Sequence, residues 1–238
     1  MSLTPSTDEF VAFGAPVVLR DGSRVRLRQG HSSDRQLLLR GFERLSPDSR
    51  YRRFLAAMPK LSEEMVRYLT EIDHRDHEAI AALDERTGEG IGVARYVRNP
   101  QRRDVAEVAV TVIDGWQGKG LGTRLLEVLG ARARAEGIQS FTALMLAENQ
   151  EMLSLLRELG AVHDLHSADG TVEVTVDLPE QGPGAVSRLL RATARGELEA
   201  VGSGRDRRPD AASAPAEPAP AAATVPDPRR AGRAAHAG

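Results

Sequence analysis

A strand that leads through a glycine-rich turn into a helix limits most strongly how this chain can fold. Residues 105–113 form an apolar stretch with the length of a buried strand. Residues 117–122, here called the glycine loop, come next, and leucines at helical spacing then predict a helix over residues 120–136. The pattern predicts an α/β core in which a loop without bulky side chains meets a helix N-terminus.

The glycine loop is predicted to bind an anion, because free backbone N–H groups and the positive end of the helix dipole favour phosphate. Lys119 adds a positive charge. The spacing does not match a P-loop, since Gly120 follows Lys119 where a serine or threonine is required. It does not match a dinucleotide fingerprint either, since Gly118, Gly120 and Gly122 are evenly spaced. Both common nucleotide motifs are therefore excluded.

The spacing that fits is Gln117-x-x-Gly120-x-Gly122, which resembles the pyrophosphate-binding motif of the GNAT superfamily of N-acetyltransferases. The context also matches, because the motif follows a long strand and opens a helix. The resemblance covers roughly residues 17–178 and extends to the family's second cofactor segment. The residues that match this second segment are Asn149, Met152, Gly160 and Ala161.

Two further segments narrow the resemblance within the superfamily. Residues 45–54 and 73–79 look most like the catalytic domain of bacterial protein lysine acetyltransferases of the Pat type. This similarity implies a protein lysine as the preferred acceptor of the acyl group. A small-molecule amine or a protein N-terminus is the alternative within the same class.

The resemblance implies an α/β GNAT fold, with a mixed, mainly antiparallel central sheet and helices on both faces. Two middle strands, residues 105–113 and 141–146, would splay apart to admit the pantetheine arm of acetyl-CoA, the co-substrate. Backbone groups of the first strand would pair with that arm, and one N–H would stabilise the oxyanion of the intermediate. The implied cofactor-binding residues are Val110, Thr111, Val112, Gln117, Gly118, Lys119, Gly120, Leu121, Gly122, Thr123, Asn149 and Met152.

Glu107 is the candidate general base. A lysine amine has a pKa of about 10.4 and must lose a proton before it attacks a thioester. A carboxylate in an apolar strand can accept that proton, and related Pat-type enzymes place a glutamate at this position of the strand. Strand alternation puts Glu107, Ala109 and Thr111 on one face, so a solvent-facing Glu107 is the alternative.

One residue departs from the family pattern. Many GNAT enzymes have a tyrosine seven residues after the asparagine, where it protonates the departing thiolate, and this chain has Leu156. Either the thiolate leaves without that donor or another group supplies the proton. The departure leaves a second class of function open, a catalytically silent acyl-CoA-binding module that regulates a partner.

The composition excludes several other chemistries. The chain has no cysteine, which excludes a disulfide framework, a thiolate metal site and a cysteine acyl-enzyme. Two H-x-x-H pairs, at residues 74–77 and 163–166, are interpreted as structural, and no metal is expected. The net charge of −2 and the lack of a long apolar run predict no nucleic-acid partner and no membrane association. A polar N-terminus without a signal core makes a cytoplasmic location the expectation.

The chain is predicted to have one catalytic domain, residues 17–180, after an N-terminal extension of residues 1–16. Residues 181–201 are predicted to be a linker or helix. Residues 202–238, rich in Ala, Pro and Arg, are predicted to be a disordered tail, since they cannot bury enough apolar surface to offset their ordering entropy. Within the domain, strands are expected at residues 77–83, 91–97 and 162–165, and helices after Ser46 and Ser62.

Overall fold

The computed structural model describes residues 16–179 of the 238-residue chain. The predicted linker or helix and the predicted tail lie outside the described residues, as does all of the N-terminal extension except Pro16. None of the helices in the described range has the length and apolar character that a bilayer-spanning helix needs.

Eight strands and five helices make up the described part of the chain. The strands are β1 (Pro16–Val18), β2 (Arg24–Gln29), β3 (His77–Asp84), β4 (Gly90–Arg98), β5 (Val105–Val112), β6 (Ser140–Leu146), β7 (Ala161–Ala168) and β8 (Thr171–Asp177). The helices are α1 (Arg35–Glu43), α2 (Pro47–Phe54), α3 (Glu63–Thr70), α4 (Leu121–Ala135) and α5 (Gln150–Leu159).

All eight strands form one sheet in the order β1-β2-β3-β4-β5-β6-β8-β7. Within the described residues, β5 and β6 pair in parallel and every other neighbouring pair is antiparallel. The apolar stripe of α4, with Leu121, Leu125 and Leu129, packs together with α5 on one face. Helices α1, α2 and α3 lie over the other. The predicted mixed sheet with helices on both faces is confirmed.

Local signals place the helices that approach the site. Ser46 caps α2 by accepting a hydrogen bond from the Ser49 N–H, and Pro47 occupies the first turn, where no backbone donor is needed. Ser62 caps α3 by accepting from the Met65 N–H. The helix starts predicted after Ser46 and Ser62 are therefore confirmed.

Strand β7 differs from the expectation. The sequence predicts a strand over residues 162–165, whereas the structure extends it over Ala161–Ala168. Its register against β8 shifts between His163 and His166, and Asp164 adopts a positive φ of 50°. An extra residue of this kind interrupts the apolar alternation that reveals a strand, which explains why the prediction ends too early.

Candidate active site

The site lies where β5 and β6 separate. These two strands pair at three positions, Val105 with Ser140, Ala106 with Phe141 and Glu107 with Thr142. Beyond Glu107, β5 stays paired with β4 as far as Val112, but it no longer pairs with β6. A wedge-shaped cleft opens between them, and its wall along β5 extends about 17 Å at 3.4 Å per residue. The predicted splayed strand pair is confirmed.

The glycine loop lies at the wide end of this cleft. Gly118 and Gly120 have positive φ values of 71° and 86°, a conformation that strongly favours glycine. Gly120 leads directly into α4, a helix of 15 residues whose first residues line the cleft. A β-carbon added at Gly122 would lie 3.0 Å from Leu155 Cδ1, so glycine also allows α5 to pack closely here. The loop therefore has the backbone geometry of an anion-binding helix start.

Most of the predicted cofactor-binding residues meet on this cleft. Its lining includes the β5 segment, the glycine loop and the start of α5. The predicted residues that line it are Val110, Thr111, Val112, Gln117, Gly118, Gly120, Leu121, Gly122, Thr123, Asn149 and Met152.

Lys119, which the sequence predicts to bind the cofactor, does not line the cleft. Its ammonium lies 3.0 Å from an Asp21 carboxylate oxygen and 4.8 Å from the centre of the Trp116 ring, rather than on the cleft wall. Arg20 lines the cleft instead, and its Nε would lie 3.2 Å from a β-carbon added at Gly120. Arg20 comes from the β1–β2 turn, which is distant in sequence, so no local spacing links it to the glycine loop.

Gln117 and Asn149 both have structural hydrogen bonds. The Gln117 side-chain amide donates to the Val112 carbonyl at 3.0 Å and to Ser49 Oγ at 3.3 Å, which ties the loop to the end of β5 and to α2. The Asn149 side-chain oxygen caps α5 by accepting from the Met152 N–H at 3.1 Å. These bonds fix the two segments that flank the cleft.

Asp114 connects the glycine loop to α2. Its carboxylate accepts hydrogen bonds from the Ser46 N–H at 3.0 Å, the Ser46 hydroxyl at 2.7 Å and the Ser49 hydroxyl at 2.8 Å. Burial alone would raise the pKa of Asp114, but these donors outweigh burial and hold the pKa below its ordinary value. The start of α2 is thus fixed beside the cleft.

Glu107 lies at the narrow end of the cleft, and its half-buried side chain is on the sheet face covered by α2 and α3. Burial raises the pKa of its carboxyl group above the ordinary value. Arg53 opposes that rise, and Glu173 of β8 adds to it. A half-buried carboxylate with a raised pKa is suited to accept a proton.

Three further side chains form a charged group with Glu107. Arg53 comes from the last turn of α2, Tyr68 from α3 and Arg95 from β4, and their charges interact with one another or with Glu107. We call Arg53, Tyr68, Arg95 and Glu107 the Glu107 corner. No short motif joins these residues, which are separated by more than ten positions in the chain, so no local signal reveals them.

The structure also places Leu156, which stands where many GNAT enzymes have a tyrosine. Leu156 is fully buried in the core and does not line the cleft. None of the tyrosines within residues 16–179 is part of the cleft wall, although Tyr68 belongs to the Glu107 corner at its narrow end. The same range contains no cluster of three His, Asp or Glu side chains arranged to hold a metal ion.

Comparison with known proteins agrees with this geometry. The model of the acetyltransferase (GNAT) family matches residues 42–161. The chain is 35% identical over 167 residues to acetyltransferase Pat of Mycolicibacterium smegmatis, covering 69% of this chain and 49% of that protein. It is also similar to the crystal structure of the GNAT domain of S. lividans PAT, with 36% identity and a TM-score of 0.64. That match covers 71% of this chain and all of the other.

The chain belongs to the GNAT family of acetyltransferases. It has the GNAT fold. The fold is shared with a phosphinothricin acetyltransferase from Sinorhizobium meliloti, solved in complex with AcCoA, at 24% identity and a TM-score of 0.56. That match covers 66% of this chain and 89% of the other. The chain spans about half the length of the M. smegmatis relative that it matches.

Proposed function

We propose that the enzyme transfers an acetyl group directly from acetyl-CoA to an amine, with Glu107 as the general base. The observation that best supports the proposal is the separation of β5 from β6 beyond Glu107. Pairing of β5 with β6 ends at Glu107, so this carboxylate lies at the point where the cleft closes, with the glycine loop at the opposite end. A thioester held along β5 therefore lies between a phosphate site and a base.

In this proposal, different residues of the cleft bind the co-substrate and transfer the proton. The glycine loop and Arg20 hold the pyrophosphate, and the free edge of β5 pairs with the pantetheine arm. Glu107 takes a proton from the ammonium of the acceptor, and the neutral nitrogen attacks the thioester carbonyl. A backbone N–H of β5 donates to the oxyanion, and the C–S bond then breaks as the amide forms.

No tyrosine within the described residues is part of the cleft wall, and Tyr68 of the Glu107 corner does not line it, so we propose that the thiolate leaves as an anion. An ordinary thiol has a pKa of about 8.5, so its conjugate base is stable enough to leave near neutral pH. It takes up a proton from solvent afterwards. This step separates the proposed mechanism from that of relatives with a tyrosine donor.

A protein lysine is the proposed acceptor. The resemblance to Pat-type enzymes supports this choice. Two carboxylates that line the cleft, Asp164 of β7 and Glu173 of β8, carry the charge opposite to that of a lysine and attract it. A small-molecule amine is the alternative acceptor, and a silent acyl-CoA-binding module is the alternative without turnover.

The test is the Glu107→Gln variant, which keeps the side-chain shape and removes the basicity. Turnover should fall by roughly 10² to 10⁴, the usual contribution of general-base catalysis. Affinity for acetyl-CoA, measured by calorimetry, should barely change, because backbone groups elsewhere hold the co-substrate. The residual rate should rise with pH, as more of the acceptor is already neutral.

The matched control is Glu71→Gln, which neutralises an exposed carboxylate at the end of α3. It should transfer acetyl groups at the unaltered rate. If Glu107→Gln also turns over at the unaltered rate near pH 7, Glu107 is not the base. If the unaltered protein binds acetyl-CoA but acetylates none of several peptides and small amines, the silent module is the better description.

A further inference from the structure

The Glu107 corner contains more positive than negative charge. Its two guanidinium groups, Arg53 and Arg95, are neighbours, and Arg53 interacts with the one carboxylate, Glu107, which the proposed mechanism keeps free to accept a proton. Arg53 forms no hydrogen bond or ion pair with any side chain of residues 16–179, and its guanidinium lies 5.0 Å from the centre of the Phe54 ring. An arginine at a cleft wall without a partner is available to a ligand.

Arg95 lies behind Arg53 and is 6% exposed. Its Nη2 donates to the Leu69 carbonyl at 2.7 Å, whereas its buried Nη1 has no partner among the described residues. Burial lowers the pKa of Arg95 to about 9, and repulsion from Arg53 adds to the effect. Arg53 and Arg95 form no direct ion pair with any described carboxylate, and Glu107 is the one nearby carboxylate that interacts with Arg53. Two such neighbouring cations are costly to bury, and an anion beside them would relieve that cost.

An apolar cavity of about 120 Å³ adjoins the corner between the sheet and helices α1 to α3. Arg53 and Phe54 border both this cavity and the cleft that contains Glu107. Small residues on β5, such as Ala109, leave the space open on the sheet side. A cavity of about 150 Å³ accepts a benzene-sized molecule, so this one has room for a short hydrocarbon chain.

We propose that Arg53, supported by Arg95, binds a carboxylate carried by one of the two reacting molecules, with the attached short aliphatic chain in the adjoining cavity. The inference rests on the proposed acyl transfer and names the substrate chemistry of the same cleft. The carboxylate belongs either to a dicarboxylic acyl group on CoA, in which case a protein lysine remains the acceptor, or to an amino acid whose α-amine is the acceptor. Arginine suits this role, because its planar fork matches a carboxylate with two parallel hydrogen bonds.

The experiment compares matched ligand pairs by calorimetry, so that its outcome does not depend on turnover. One arm compares succinyl-CoA with butyryl-CoA, which have the same chain length. The other compares leucine with 3-methylbutylamine on the enzyme saturated with CoA. The carboxylate-bearing member of one pair should bind more tightly, and Arg53→Met should remove that preference. The expected loss of affinity is roughly ten- to a hundredfold, the usual worth of hydrogen bonds to a charged group.

Two further variants sharpen the test. Arg95→Met should reduce the same preference, and its melting temperature should be no lower, because the change removes a buried guanidinium with an unpaired nitrogen. Arg67→Met, an exposed arginine on α3 paired with Glu71, should keep the preference. A preference in the CoA arm assigns the carboxylate to the acyl group, and one in the amine arm assigns it to the acceptor.

Equal affinity within both ligand pairs would overturn the inference, as would a preference that survives both Arg53→Met and Arg95→Met. Acetyl transfer to an amine that carries no carboxylate, measured in parallel on the unaltered enzyme, tests the proposed function separately. Its failure leaves the calorimetric result for the carboxylate site intact.

Discussion

The two ends of the cleft are built in different ways. The glycine loop presents backbone groups from one short segment, and its shape depends on positive φ at Gly118 and Gly120. The Glu107 corner presents side chains from α2, α3, β4 and β5, and its properties depend on burial and charge. The proposed co-substrate binding therefore depends on local conformation, whereas the proposed acceptor chemistry depends on tertiary packing.

The largest effect should come from Gly120→Glu at the loop end. The variant forces a residue with a β-carbon to a φ of 86°, adds bulk against Arg20 and places a negative charge near the pyrophosphate. We expect calorimetry to show no measurable CoA binding. Gly115→Glu is the control, because an added β-carbon there meets nothing within 4 Å and its φ is not in the positive range. Unaltered CoA affinity in Gly120→Glu would refute the assignment of the loop.

A smaller effect is expected from Asp114→Ala, which should disturb both ends at once. The variant removes the acceptor of three hydrogen bonds that fix the start of α2, the helix that carries Arg53. Because the group is largely exposed, we expect a loss of about 1–2 kcal/mol in the free energy of unfolding. Urea denaturation measures this loss. Unchanged stability would mean that α2 is held by its apolar contacts alone.

The same carboxylate gives a prediction with a definite sign in pH. The pKa of Asp114 is lower in the folded state than in the unfolded chain, so its contribution to stability is fully present above about pH 4. That contribution is lost as the pH falls through the folded-state value. The stability difference between the unaltered protein and Asp114→Ala should therefore shrink in acid, and a constant difference would contradict the hydrogen-bonding account.

A subtler change is expected at the corner. Arg53 holds the pKa of Glu107 down, so Arg53→Met should raise that pKa and move the acidic limb of the kcat profile to higher pH. At pH values well above the limb, this electrostatic effect on kcat disappears. The profile should be recorded with acetyl-CoA and an amine that carries no carboxylate, so that no substrate carboxylate interacts with Arg53. A limb that moves to lower pH would show that Arg53 does not stabilise the ionised form.

The smallest effect is expected far from both ends. Truncation after Val201 removes the Ala-, Pro- and Arg-rich segment, whose composition predicts no contribution to a packed core. Melting temperature and turnover should both stay essentially unchanged. A marked loss of either would mean that the segment contacts the catalytic domain or the acceptor.

The same difference between the two ends explains what could be predicted from the sequence. The strand, loop and helix around Gly120 are consecutive, so their spacing predicted both the element types and the proposed co-substrate site. The place of Lys119 could not be predicted, since its position depends on Asp21, almost a hundred residues earlier. Arg53 and Arg95 come together because helices α1 to α3 fold back over the sheet, and no spacing rule describes that contact.

The short paired segment between β5 and β6, here called the seam, affects how the sheet unfolds locally. Three residue pairs join the five strands before the seam to the three strands after it, and elsewhere the halves meet through side chains, chiefly those of α4. Strands linked by so few backbone hydrogen bonds form a weak boundary between cooperative units. In native-state hydrogen exchange, β6, β7 and β8 should therefore open as one unit at lower cost than β3, β4 and β5. The cleft proposed to bind acetyl-CoA would then also be the boundary along which the sheet first opens in local unfolding.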